Sequence, residues 1–165
     1  ATMGFGQGIS ITPIQLVTAI SSIANGGDLL RPHYVKALTD SNGKIVKTFD
    51  KEIVRKVISP ETAAEMRDIM ESEVSEGGGN TAKMEGFRIG GKTGTAEKAV
   101  EGGYSSSDYY SSFICIAPID DPRITLLVVV DSPRGETYGS VVAAPAAKSI
   151  LENVLRYMAV SPDEG

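Results

Sequence analysis

The sequence predicts a mixed α/β fold, an antiparallel sheet carrying helices on its faces. Three observations predict it. Two segments open with a capping residue followed by proline, Thr12-Pro13 and Ser59-Pro60, and continue with apolar residues at helical spacing. Three strand-like runs, 86–97, 109–119 and 123–130, follow one another, and the last two are joined so tightly that they must pair antiparallel. A further amphipathic segment closes the chain, with Ala147, Ile150, Leu151, Val154, Leu155 and Met158 on one face and Lys148, Glu152 and Arg156 on the other.

Each element has a local reason. Thr12-Pro13-Ile14-Gln15 has capping-box form, Thr12 serving as N-cap and Gln15 reaching back to its amide. The helix continues through Leu16, Ile20, Ile23 and Ala24 and stops at Asn25-Gly26-Gly27. Residues 29–38 and 45–49 flank Ser41-Asn42-Gly43-Lys44, and Asn-Gly tolerates the positive φ of a tight turn, so a β-hairpin is expected. The second helix aligns Ala63, Met66, Met70 and Val74 and ends at Gly77-Gly78-Gly79. Asp120-Asp121-Pro122 is a turn cluster between the last two strands, and the polar stretch 101–108 reads as a loop. Residues 1–160 form one unit and 161–165 a frayed tail.

Composition narrows the function. The 165 residues are 41% hydrophobic and 22% charged, which is enough to build one core. With 16 basic against 21 acidic side chains, the net charge of -5 has the wrong sign for a phosphate-backbone binder, so no nucleic-acid partner is expected. The longest apolar run, 124–130, falls far short of the roughly 20 residues that span a bilayer. One Cys and one His offer no metal-ligand spacing, and neither metal nor cofactor is expected.

Two motifs claim the same residues. Gly86, Gly91, Lys92 and Thr93 satisfy G-x-x-x-x-G-K-[ST], and Asp131 after an apolar strand resembles a magnesium-holding carboxylate, so a nucleotide hydrolase using 86–93 is the alternative reading. A P-loop must leave a buried strand and enter a helix, yet 77–85 is polar and Gly-rich, and Gly94-Thr95 follow where the helix should begin. The Gly4, Gly6, Gly8 cluster lacks a preceding strand as well. Lys92-Thr93-Gly94 read as a K-T-G element fits an edge strand better. Alternation puts Lys92 and Gly94 on one face and Thr93 and Thr95 on the other, and Gly94 lets a substrate backbone approach closely.

Further blocks agree. Gly4-Phe5-Gly6-Gln7-Gly8 runs into Ile11-Thr12-Pro13-Ile14-Gln15-Leu16, and Ala24-Asn25-Gly26-Gly27 follows. Then come Gly90-Gly91-Lys92-Thr93-Gly94-Thr95-Ala96, Ser112-Phe113, Ala117-Pro118, Tyr138-Gly139 and Ala143-Ala144-Pro145. In these the chain resembles the C-terminal half of the transpeptidase domain of class B penicillin-binding proteins, of the division or sporulation type. The resemblance implies an incomplete β-lactamase/transpeptidase-like fold whose full sheet has five strands. The two absent strands would lie beside 123–130, leaving an apolar edge open to a second copy or to the missing N-terminal half of the domain. It implies a peptidoglycan D,D-transpeptidase that binds D-Ala-D-Ala stem peptides and β-lactams and cross-links cell wall by serine acyl transfer. Lys92, Thr93, Gly94 and Thr95 would bind substrate, Lys92 shaping the positive potential, and the Thr95 backbone N–H would be one oxyanion-hole donor. The parent would work at the outer face of the bacterial cytoplasmic membrane, with no anchor in this chain.

The match has a gap. In the family both S-x-x-K and S-x-N precede the Gly4 block, where this chain begins, so the segment by itself is expected to be inactive. The one literal S-x-x-K, Ser41-Asn42-Gly43-Lys44, lies in a hairpin turn with no held base, and S-x-N is absent. A noncatalytic binding module is therefore a further alternative. His33 beside a strand reads as structural, Cys115 as a buried small hydrophobe, Asp120-Asp121 as turn residues and Ser105-Ser106-Ser107-Asp108 as a solvated loop.

Overall fold

The computed structural model describes residues 9–162; the Gly4 block and the end of the expected tail lie outside them. Helix α1 spans Pro13–Ala24, and its capping box is formed in full: the Thr12 side chain accepts from the Gln15 amide, and Gln15 Oε1 accepts from the Thr12 N–H at 2.9 Å. Asn25 and Gly26, the latter at φ +84°, turn the chain out of the helix into β1, Asp28–Leu30. Helix α2, Pro60–Ser75, is capped by Ser59 and buries Ala63, Met70 and Val74. A single 3-10 turn, Asn80–Ala82, connects it toward the sheet.

The expected hairpin over 29–49 is only half right. Residues 29–38 do not form one strand: β1 pairs with β4, Ile53–Lys56, while β2, Ala37–Thr39, pairs with β3, Ile45–Thr48, each antiparallel. Pro32 has no N–H to give a ladder, and it sits between the two short strands. The Asn42-Gly43 turn itself forms, held by Asp40, whose carboxylate accepts from the Asn42 and Lys44 amides at 2.9 Å each. β4 is wholly exposed, so it carries no burial alternation by which a strand is recognised.

The main sheet has three strands in the order β5-β6-β7: Gly90–Val100, Gly103–Ala117 and Ile124–Asp131, all antiparallel. β5 begins four residues later than expected, because Gly86 at φ +74° turns the chain and Met84 bridges Phe87. The polar stretch 101–108 is not a free loop. It closes a hairpin through Gly102 at φ +87° and continues as strand from Gly103. That arm projects beyond the core, so its backbone pairs while its side chains stay solvated, and no hydrophobic pattern marks it.

Helices lie on both faces. On one, α4 (Ala144–Tyr157) packs Ala147, Leu151 and Leu155 against Phe113, Cys115 and Ala117 of β6. On the other, Met70 of α2 and Ile20 and Ile23 of α1 pack against Ile116 and Ile119. Ile150, expected on the buried face of α4, is 40% exposed. A short helix, α3 (Gly139–Val142), precedes α4 and rests on β5 and β6. Strands β5 and β7 are the two edges of this sheet among the described residues, the β7 edge being the one expected to stand open.

Candidate functional site

The chemistry-bearing residues collect on β5. Lys92, Thr93, Gly94 and Thr95 oppose Ile114, Phe113, Ser112 and Ser111 of β6, and the far side of β5 is free of sheet partners among the described residues. An edge strand presents alternate N–H and C=O groups outward, which is the geometry an extended peptide needs in order to add a strand. The expected alternation holds. A Cβ on Gly94 would meet Ser112 Oγ at 2.6 Å on one face, while Thr95 reaches α3 on the other.

Glycines let the strand sit where it does. A Cβ on Gly90 would come within 2.5 Å of Ile119 Cδ1 and 3.0 Å of Met70 Cβ, and one on Gly91 within 2.5 Å of Phe113 Cζ. The start of β5 is thereby wedged between α2 and the core. Arg88 braces the same corner with a bidentate pair to Glu71 and a further pair to Asp120 at 2.7 Å. The Glu71 carboxylate holds the guanidinium protonated well beyond its ordinary range.

Thr95 is held from behind. The Gly139 N–H donates to its hydroxyl oxygen at 3.1 Å, and a Cβ on Gly139 would stand 2.5 Å from the Gly94 carbonyl oxygen. Ser111, fully buried on β6, donates to the Thr137 carbonyl and anchors the same segment. Because Thr95 Oγ1 accepts from Gly139, its own hydroxyl proton is left to be donated, and no acceptor takes it among the described residues. Lys92, 64% exposed in its side chain, donates to Glu73 Oε1 at 3.2 Å and lies 3.5 Å from Thr93 Oγ1.

The other candidates fall away from β5. His33 is exposed between β1 and β2, away from β5. Ser41 and Lys44 are exposed in the β2–β3 turn, and the neighbouring Asp40 carboxylate is taken up by the Asn42 and Lys44 amides. Cys115 is fully buried, and burial pushes its thiol up to about 12, which makes it inert as a nucleophile. Asp120 and Asp121 stand in the β6–β7 turn, Asp120 held by Arg88. Ser105 lies on the β6 arm, where it donates to Asp108. Two residues escaped sequence reasoning in their roles. Gly139 had no assigned function, and nothing in the sequence around Glu73 singles it out from the other carboxylates of α2.

The nucleotide alternative is overturned. Gly91, Lys92 and Thr93 lie inside a strand and not at a helix N-terminus, so no amides converge on a phosphate there. Asp131 is taken up by Lys98 across the sheet, with the ammonium 4.6 Å from the Tyr110 ring centroid. That pairing lowers the Asp131 pKa and raises that of Lys98.

The chain is similar to known proteins over nearly its whole length. Residues 1–152 match the penicillin binding protein transpeptidase domain family. The chain is 44% identical to stage V sporulation protein D of Bacillus subtilis over 98% of its own length and 25% of that protein. To the probable peptidoglycan D,D-transpeptidase PenA of Neisseria flavescens it is 35% identical over 98% of the chain and 38% of the relative. The transpeptidase domain of penicillin-binding protein 3 from Burkholderia pseudomallei superposes with a TM-score of 0.82 at 36% identity, covering 99% of this chain and 47% of that one. Penicillin-binding protein 3 of Mycobacterium tuberculosis, solved in complex with ampicillin, gives 0.83 at 29%, covering 97% and 38%. The chain thus spans between a quarter and a half of the relatives it matches.

Proposed function

The chain belongs to the penicillin-binding protein transpeptidase family, and from that premise we propose that it is the substrate-binding part of a peptidoglycan D,D-transpeptidase whose nucleophile lies outside the segment. A serine of an S-x-x-K element passes its proton to the lysine of that element, which later returns it to the leaving amine, and attacks the carbonyl carbon of the penultimate D-Ala of a stem peptide, forming a C–O bond. The resulting oxyanion is held by the Thr95 backbone N–H and the serine's own N–H; one such donor is typically worth about 3 kcal/mol in the barrier. The intermediate collapses, the C–N bond breaks and D-Ala leaves as the protonated amine. An amine of a neighbouring stem then attacks the ester and frees the serine. A β-lactam enters the same site by opening its ring amide.

The chain's own contribution is the grip on the terminal carboxylate. Lys92 provides positive potential, Thr93 and Thr95 provide hydroxyl donors, and Gly94 leaves room for the ligand backbone. The observation that carries this reading is the Thr95 hydroxyl, which accepts from Gly139 and so has its proton left to give. By family, the parent works at the outer face of the bacterial cytoplasmic membrane, and the similarity to a sporulation protein favours that process. No helix among the described residues is long and apolar enough to cross a membrane.

The test is labelling with a fluorescent penicillin. A polypeptide that joins this segment to the region carrying S-x-x-K and S-x-N takes one covalent label at the S-x-x-K serine, and the 165-residue chain by itself takes none. A stable adduct on the isolated chain, or no adduct on the longer polypeptide, defeats the proposal.

A further inference from the structure

The ammonium of Lys92 already faces an anion supplied by the chain itself. Glu73 stands in the last turn of α2, its side chain 27% exposed, with Oε1 3.2 Å from Lys92 Nζ. A carboxylate is disfavoured at the C-terminal end of a helix, where the backbone carbonyls are also negative, so the cation opposite is its natural compensation.

The glycine turn after α2 is folded around this contact. A Cβ on Gly77 would be 2.8 Å from Glu73 Oε2, and one on Gly78 would be 3.3 Å from Oε1 and 4.0 Å from Thr93 Oγ1. The Gly79 N–H donates to the Glu73 carbonyl at 3.0 Å, tying the turn to the helix end. Side chains at 77 or 78 would occupy the space through which the carboxylate reaches β5. Two elements are thus shaped to bring one negative group to the cation of the K-T-G strand.

Resting on the transferase reading above, we infer that Glu73 is a specificity-determining residue of the site: its carboxylate competes with the ligand's carboxylate for Lys92 and weakens the capture of anionic ligands. Two anions beside one ammonium repel each other, and each takes part of the field that the other would have alone. Removing the internal charge strengthens the hold on the external one. The gain is modest because the pair is partly exposed. It amounts to about two- to fivefold in Kd, the range such pairs cover.

The experiment uses the longer polypeptide with the S-x-x-K region and measures acylation by benzylpenicillin at graded concentrations, which separates the noncovalent Kd from the limiting acylation rate. Glu73→Gln lowers Kd about two- to fivefold, and the gain shrinks at high salt. Glu73→Asp keeps the charge and with it the weaker Kd. Benzylpenicillin methyl ester, which carries no anion, binds the Gln variant no better than the parent. Glu73→Ala must move Kd in the same direction, which guards against a folding defect peculiar to the amide. An unchanged or weaker Kd in both charge-removing variants, or an equal gain with the ester, overturns the inference. If the unmodified polypeptide takes no label at all, the transferase reading fails. If it is labelled and the variants match it, only the role of Glu73 falls.

Discussion

Gly139→Ala is the most informative single change, because one methyl group tests how the β5 ledge is held. Its Cβ would lie 2.5 Å from the Gly94 carbonyl oxygen and 3.2 Å from the Gly94 nitrogen. Both are backbone atoms in the middle of a paired strand, so neither can swing aside as a side-chain tip would. The Ser112 carbonyl oxygen of β6 is nearer still, so either the β5–β6 pair moves or α3 lifts. Overpacking of this kind costs ~1–3 kcal/mol. Lifting α3 also breaks the Gly139 to Thr95 hydrogen bond, worth ~1 kcal/mol. The sum, about 3 kcal/mol, lowers Tm by roughly 6–12 °C for a chain of this size. Urea denaturation gives the free energy directly. Thr95→Val removes the acceptor of that bond without adding bulk and costs ~1–2 kcal/mol by leaving the Gly139 N–H unsatisfied. Combining the two changes must therefore cost less than their sum, since the hydrogen bond can be lost only once. A Gly139→Ala variant within ~0.5 kcal/mol of the parent, or strict additivity in the pair, would refute the claim that α3 clamps the strand.

Other outcomes follow from the same geometry. On the proposed grip of Thr95 on the ligand carboxylate, Thr95→Val in the acylation-competent polypeptide raises the benzylpenicillin Kd about tenfold or more, whereas Thr95→Ser leaves it near the parent's. Phe113→Ala empties a site with no solvent exposure beneath Gly91 and costs ~3–5 kcal/mol in urea denaturation. The Cys115 thiol has its pKa raised on folding from 9.0 to about 12, so it stabilises the fold fully below pH 9 and progressively less as pH rises toward 12. The stability difference between the parent and Cys115→Ala must therefore shrink over that interval, and a difference independent of pH would contradict the burial argument. Asp131 has the opposite sign. Its lowered pKa means that its pairing with Lys98 contributes above the ordinary carboxylate range and is lost as pH falls through the folded value. Asp131→Asn abolishes that acid-side dependence in a pH series of thermal melts.

The legible parts of the fold were those written in short stretches of chain. Thr12 with Gln15, Ser59 with Pro60, and the glycines after each helix set where α1 and α2 begin and end, because caps act over one turn. Residues 109–117 and 124–130 were readable as strands because the sheet core selects apolar side chains there. Residues 29–38 failed because pairing partners are chosen by the fold. β1 found β4, a strand with no buried face to announce it, and Pro32 ended the run between. The 101–108 arm failed for a related reason, since a backbone ladder outside the core needs no hydrophobic pattern.

For the site, the K-T-G residues and their alternation were set by the sequence by itself, since side-chain direction along a strand depends only on parity. Their resemblance to a family carried the chemistry. What the tertiary structure decided is which groups stand beside them. Gly139 arrives 44 residues after Thr95 in the chain, and Glu73 comes from a helix that precedes β5 by a full turn and connection. Neither neighbour is encoded near the residue it serves. Contacts between distant segments are fixed when the helices bury their apolar faces on the sheet, and that shared burial sets which polar groups meet at its edge.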